Sequence, residues 1–156
     1  MKKNKNALTL KGFIRTQIVD KKGKIVGDSG FIQNQLTNLG MGSCFALRLM
    51  AAGEIIASIA FGSASTPASS ATALSGHAAL VAIATAAAGS ANNTYTAQMT
   101  AQLAGGDTSF HSDTPLGNIG LVGSASNRLF AGVGFATSSL GTDQSVNVTY
   151  NIEFGR

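Results

Sequence analysis

The last strand of the chain constrains the fold most. Val146, Val148, Tyr150, Ile152 and Phe154 alternate with Ser145, Asn147, Thr149, Asn151 and Glu153. Strict period-two alternation places one set on a buried face and the other outside, as in a half-covered antiparallel sheet. Tyr95, Ala97, Met99, Ala101 and Leu103 repeat the pattern against Thr94, Thr96, Gln98, Thr100 and Gln102. The outward residues are hydroxyls and amides rather than Lys and Glu. Such strands lack the charges that normally discourage edge-to-edge pairing.

Other segments follow the same logic. Leu8, Leu10, Gly12, Ile14, Thr16 and Ile18 share one face, and Thr9, Lys11, Phe13, Arg15 and Gln17 share the other. Asp20–Gly23 reads as a hairpin turn with Gly23 at positive φ, and Lys24–Val26 returns as the second strand. Gln33–Gly53 reads as a helix: Thr37 or Asn38 caps it, Leu36, Phe45, Leu49 and Ala52 fall near one face, and Gly53 ends it. Gly40 and Gly42 weaken its first turns. Glu54–Phe61, Gly117–Val122 and Arg128–Thr137 read as apolar strands. Gly62–Ala73 and Gly105–Leu116 are loops. In Gly76–Ala88 the Ala content favours helix while Val81, Ile83 and Thr85 alternate; the strand reading is adopted.

Seven or eight strands with one early helix predict a mainly β fold, an antiparallel β-sandwich or jelly roll. A length of 156 residues fits one such domain over residues 8–156, preceded by a flexible basic tail over 1–7.

Charge narrows the function. From Ile55 to Gly106 there is no Asp, Glu, Lys or Arg, and charged residues make up only 12% of the chain, about half the usual share. A free monomer spreads charge over its surface; a neutral surface of small side chains suits burial by other subunits. Lys2, Lys3, Lys5, Lys11, Arg15, Lys21, Lys22 and Lys24 are eight of the eleven cations. Against Asp20 alone they give the first 24 residues +7, leaving −3 on the rest. A basic arm on a slightly acidic body points to contact between copies or with another acidic surface. Nucleic acid is disfavoured, since the arm has no aromatic platform beyond Phe13 and no recognised module.

No catalytic constellation emerges, and neither a cofactor nor a metal is expected. Asp107, His111 and Asp113 lie close in sequence, but adjacency along a loop builds neither a triad nor a fixed ligand spacing. His77 reads as a strand-start residue. Glu54 and Glu153, the only glutamates, carry no sign of a carboxylate pair across a cleft. Gly132-Val133-Gly134 has no following helix and so is no dinucleotide loop; its glycines point to close backbone approach or a bulge. Cys44, the single cysteine, permits no internal disulfide and reads as a small core side chain. Ala7–Leu10 is too short for a secretory h-region, and Ala78–Ala88 is too short to cross a bilayer, so folding in a reducing cytoplasm without a membrane segment is expected.

Gln33-Asn34-Gln35-Leu36-Thr37-Asn38-Leu39-Gly40, then Ile59-Ala60-Phe61-Gly62-Ser63-Ala64-Ser65-Thr66-Pro67 with Leu74, form a recognisable order. Asn118-Ile119-Gly120-Leu121, Arg128-Leu129-Phe130-Ala131 and the closing alternating strand complete it. Over roughly residues 10–154 this resembles small virion structural proteins of tailed bacteriophages, those that decorate capsids or form fibre and collar parts. The resemblance implies a β-rich fold and a virion role, and it transfers no functional residue. The resulting expectation is a non-enzymatic capsid decoration (cement) protein, assembled in the host cytoplasm. Its partners would be sister subunits in a homo-oligomer such as a trimer, and the major capsid protein or other virion proteins. The alternatives are a tail fibre, collar or host-attachment protein and a carbohydrate-binding β-sandwich; 6% aromatics with no Trp disfavours a sugar platform.

Overall fold

The computed structural model describes residues 9–46, 52–91, 94–104, 107, 110, 115–125 and 128–155. Eleven strands appear among them: β1 Thr9–Val19, β2 Ile25–Asp28, β3 Ile32–Gln33, β4 Gln35–Leu36, β5 Ile56–Gly62, β6 His77–Ala82, β7 Thr85–Ala91, β8 Thr94–Leu103, β9 Leu116–Gly123, β10 Leu129–Ser138 and β11 Ser145–Gly155. They form two antiparallel sheets. The first runs β2-β1-β11-β8-β7, with β3 also on β1, and the second runs β4-β10-β9-β5-β6. Both sheets feed one core, in which Ile14, Met99, Val148 and Tyr150 meet Ile59, Phe61, Ile119, Leu121 and Phe130. The fold is a mainly β sandwich. Its antiparallel pairs nest as β1·β11, β4·β10, β5·β9 and β7·β8, the order produced by rolling up one long hairpin.

Alternation explains the first sheet directly. In β11 Val146, Val148, Tyr150 and Ile152 are buried, and in β1 Gly12, Ile14 and Thr16 are. The hairpin turn forms at Asp20–Lys24, with Gly23 at φ 78°. Asp20 Oδ1 accepts from the Lys22 and Lys24 amides at 2.8 and 2.9 Å.

The expected helix Gln33–Gly53 is the main correction. Ile32–Gln33 pairs with β1 in the first sheet, whereas Gln35–Leu36 pairs with β10 in the second. The chain therefore changes sheets at Asn34, which is buried and donates its backbone N–H to Gly12 O at 3.0 Å. Gly12 has to lack a side chain there, because a Cβ would strike the Asn34 amide. Helix α1 starts only at Asn38 and spans Asn38–Gly40, continuing as a π-helical segment Met41–Ala46. Thr37 is its N-cap, accepting from Gly40 N at 3.0 Å. Leu49 and the rest of 47–51 lie outside the described residues.

The strand count also exceeds the expected seven or eight. β3 ends and β4 lies wholly inside the expected helix, and Gly76–Ala88 divides between the two sheets as β6 and β7. At the crossing, Ile83 N donates to Ala57 O and Ala84 N to Thr100 O. Both serve β-pairing, which settles the Ala-rich segment against helix.

The middle of the second sheet is covered on both sides, and every residue of β9 is buried. Its outer side carries the 63–76 segment as a strap. Asn118 Nδ2 donates to Ser65 O and Ser75 O, Thr66 Oγ1 accepts from Gly134 N at 2.9 Å, and Leu129 N donates to Thr72 O. Gly132 and Gly134 leave the space that Pro67 and Thr66 occupy. The close backbone approach expected at these glycines is this contact.

Candidate functional site

The residues weighed for chemistry do not converge. Glu54 precedes β5 at the second sheet and forms an ion pair with Arg128 at 3.5 Å, whereas Glu153 sits in β11 of the first sheet. His77 opens β6 opposite Gly62. His111 and Asp113 lie outside the described residues, as does the Cys44 side chain. Among the described residues no group of three His, Cys, Asp or Glu side chains stands together to hold a metal. No described helix is long and apolar enough to cross a membrane.

The basic arm separates into distinct places. Lys2, Lys3 and Lys5 lie outside the described residues. Lys11 is exposed on β1, in register with Glu153 of β11. Arg15 grips Asp28 through Nε–Oδ1 at 3.0 Å and a second bond from Nη2, and its guanidinium lies 5.9 Å from the Phe31 ring centroid. The Arg15 hydrogen bonds, then the Gln17 amide and the Gly30 N–H, hold the Asp28 carboxyl well below the usual carboxylate range. The same contact raises the Arg15 pKa. Lys21 reaches Asp143 at 3.7 Å, with both side chains more than half exposed. Lys22 and Lys24 are exposed at the hairpin turn. Ile25 and Val26 follow that turn, and Phe31 lies farther along β1 at Arg15; each of the three is about half exposed.

The outer face of the first sheet is the larger feature. Across β11 and β8 it is a ladder of amides and hydroxyls. Gln102 Nε2 donates to Asn147 Oδ1 at 2.6 Å, and Gln98 Nε2 to Asn151 Oδ1 at 3.1 Å. The Thr85 and Thr100 hydroxyls meet at 2.5 Å. Register places Thr149 beside Thr100 and Asn151 beside Gln98. The charges on this face are Lys11 and Arg15 on β1, Asp28 on β2 and Glu153 on β11. On β8 and β7 there is none. A shallow hollow of about 300 Å³ opens between Gln17, Thr100, Gln102, Asn147 and Thr149.

The sheet ends on a bare edge. β7 pairs with β8 from Thr85↔Thr100 to Ala91↔Thr94 without a register shift, and it is the last strand on that side. Thr85, Ala86, Ala87, Ala88, Gly89 and Ser90 are all exposed, so the strand is uncovered on both faces. Other edges are protected: β4 has two residues, β2 has four with Lys24 before it and a shift at Ile18/Val19, and β6 has a shift at Phe61/Gly62.

A second concavity, about 240 Å³, lies between Thr16, Ile18, Gly27, Leu116 and Phe135. Asp28, Ser29 and Ser138 also line it; Arg15 and Gln17 engage the Asp28 carboxylate, and the Ser29 hydroxyl donates to Gly30 O. The first sheet's outer face offers amide and hydroxyl donors and acceptors with little charge. A scan against family models, a search of curated proteins and a search of solved structures each found no match.

Proposed function

We propose that this chain is a non-enzymatic structural subunit of a bacteriophage virion, a capsid decoration protein that binds the shell and its own sister copies. The observation that carries the reading is the face and edge of β8 and β7: long, regular and uncharged, with Thr and Gln outward on β8 and small Ala, Gly, Ser and Thr on β7. In a lone subunit such an edge invites uncontrolled pairing. In a particle it is a joint. Apolar and neutral area buried between copies, at about 25 cal/mol per Å², opposes outward pressure on the shell.

The hairpin turn with Lys22 and Lys24, followed by the exposed Ile25 and Val26, is the side we assign to the acidic shell. Charge there sets encounter rate and orientation, while Ile25 and Val26 supply contact area. Arg15 and Lys21 contribute less, because Asp28 and Asp143 already engage them.

The test is protein copy number on purified particles by quantitative mass spectrometry. Closed-shell symmetry sets hundreds of copies, on the order of one per capsid subunit or capsomer. Tens of copies would place the chain in a fibre or collar. Absence from particles would overturn the virion role.

A further inference from the structure

We propose that β7 pairs antiparallel with β7 of a second copy, about a two-fold axis through Ala88, joining two sandwiches through one continuous sheet. The pairing rests on the reading of the chain as a multi-copy structural subunit and names one of its contacts.

β7 keeps an unbroken ladder with β8 over seven residues, so its opposite backbone edge is straight and regular. It carries no lysine, no proline and no bulge, the devices that block strand addition. Its described side chains are exposed on both faces, so nothing of the second sheet stands in the way.

The sequence of β7 is close to symmetric in size about its middle. Around Ala88, Thr85 faces Ala91, Ala86 faces Ser90 and Ala87 faces Gly89. Every facing pair is small, and Ala88 meets its own copy. A two-fold axis normal to the sheet keeps each face on its own side, so the amide and hydroxyl ladders of the two copies merge.

Electrostatics permits like to meet like. The nearest charge on the outer face is Glu153 on β11, two strands inward from β7. At about 4.8 Å per strand that is roughly 10 Å from the joint, near one Debye length at physiological salt. β2 is the wrong mate for this edge: it is four residues long, follows Lys24 and is bent by its register shift.

Seven residues of edge bury less than the roughly 800 Å² per partner of a standard interface. The joint is therefore weak between two free subunits and gains strength where other contacts hold copies together.

Cysteine trapping reads such a contact. Facing residues of an antiparallel pair have Cα atoms about 4.5–5.5 Å apart, inside the disulfide range of about 4.4–6.8 Å. In a Cys44→Ser background, Ala88→Cys is expected to form a covalent dimer at least about ten-fold faster than Ala86→Cys, whose two copies lie about 14 Å apart along the strands. Mixing Ala86→Cys with Ser90→Cys is expected to restore rapid crosslinking, as a mixed dimer. Adding Ala87→Lys to Ala88→Cys is expected to suppress it. Equal rates for Ala86→Cys and Ala88→Cys, or no Ala88→Cys dimer, would overturn the pairing. Copy number on particles decides the virion role separately: an abundant virion protein without the crosslink pattern refutes only the joint, and the crosslink pattern in a protein absent from particles refutes only the role.

Discussion

The Asn118 side-chain amide donates to the Ser65 carbonyl at 3.0 Å, and its other N–H bond reaches Ser75 O at 3.1 Å. One buried residue of β9 thus pins both ends of the strap that covers the second sheet. Asn118→Ala removes two part-buried hydrogen bonds that tie the strap to β9. A loss of about 2–4 kcal/mol is expected in urea unfolding. A loss under about 0.5 kcal/mol would show that the strap is held by other contacts.

Glycine positions separate a packed face from an open one. A Cβ at Gly134 would press on the Thr66 backbone, whereas at Gly89 in β7 nothing lies within 4 Å. Gly134→Ala is expected to cost about 1–3 kcal/mol and to speed proteolysis within 63–76. Gly89→Ala is expected to change stability by less than about 0.5 kcal/mol. Similar costs at both positions, by thermal melting, would contradict the strap geometry.

Much of the first sheet was legible because its signal is local. Alternation fixed Thr94–Leu103 and Ser145–Gly155 nearly to the residue, and Asp20 with Gly23 marked the turn. The Thr37 cap was legible too, but what precedes it was not. Asn34, Gln35 and Leu36 take their conformation from hydrogen bonds to β1 and β10, partners far away in sequence. Ala-rich 76–91 split for the same reason, since alanine leaves the choice to whichever neighbour offers a ladder. The lysine arm was visible as composition, while the clasp of Arg15 by Asp28 was not. That β7 is an edge follows from strand order, which no local pattern encodes.

Acid titration tests the Arg15–Asp28 clasp between β1 and β2. Folding holds the Asp28 carboxyl below its ordinary value of 3.8, so the ionised form is favoured in the native state. Its stabilisation is complete above that value and is lost as pH falls below it. The difference in melting midpoint between wild type and Asp28→Asn is expected to be largest near pH 7 and to shrink below pH 4. A gap that widens on acidification would be the wrong sign.

Tyr150 is fully buried, and its hydroxyl has no hydrogen-bond partner among the described residues. Burial raises its pKa well above 10.0, so stability is complete below that value and is lost as pH rises past it. Tyr150→Phe removes an unsatisfied hydroxyl and keeps the ring. It is expected to raise stability by about 1 kcal/mol and to reduce the loss at alkaline pH. Destabilisation by the same amount would reveal a partner for the hydroxyl.

Shelter of the uncharged face by sister copies is tested most directly by sedimentation velocity over rising concentration. The comparison sets wild type beside Gln98→Lys/Gln102→Lys, two exposed substitutions on β8. Wild type is expected to gain mass with concentration, while the lysine variant stays a single subunit with an unchanged melting midpoint. Wild type that remains a single subunit even at millimolar concentration, or lysines that leave association untouched, would contradict it.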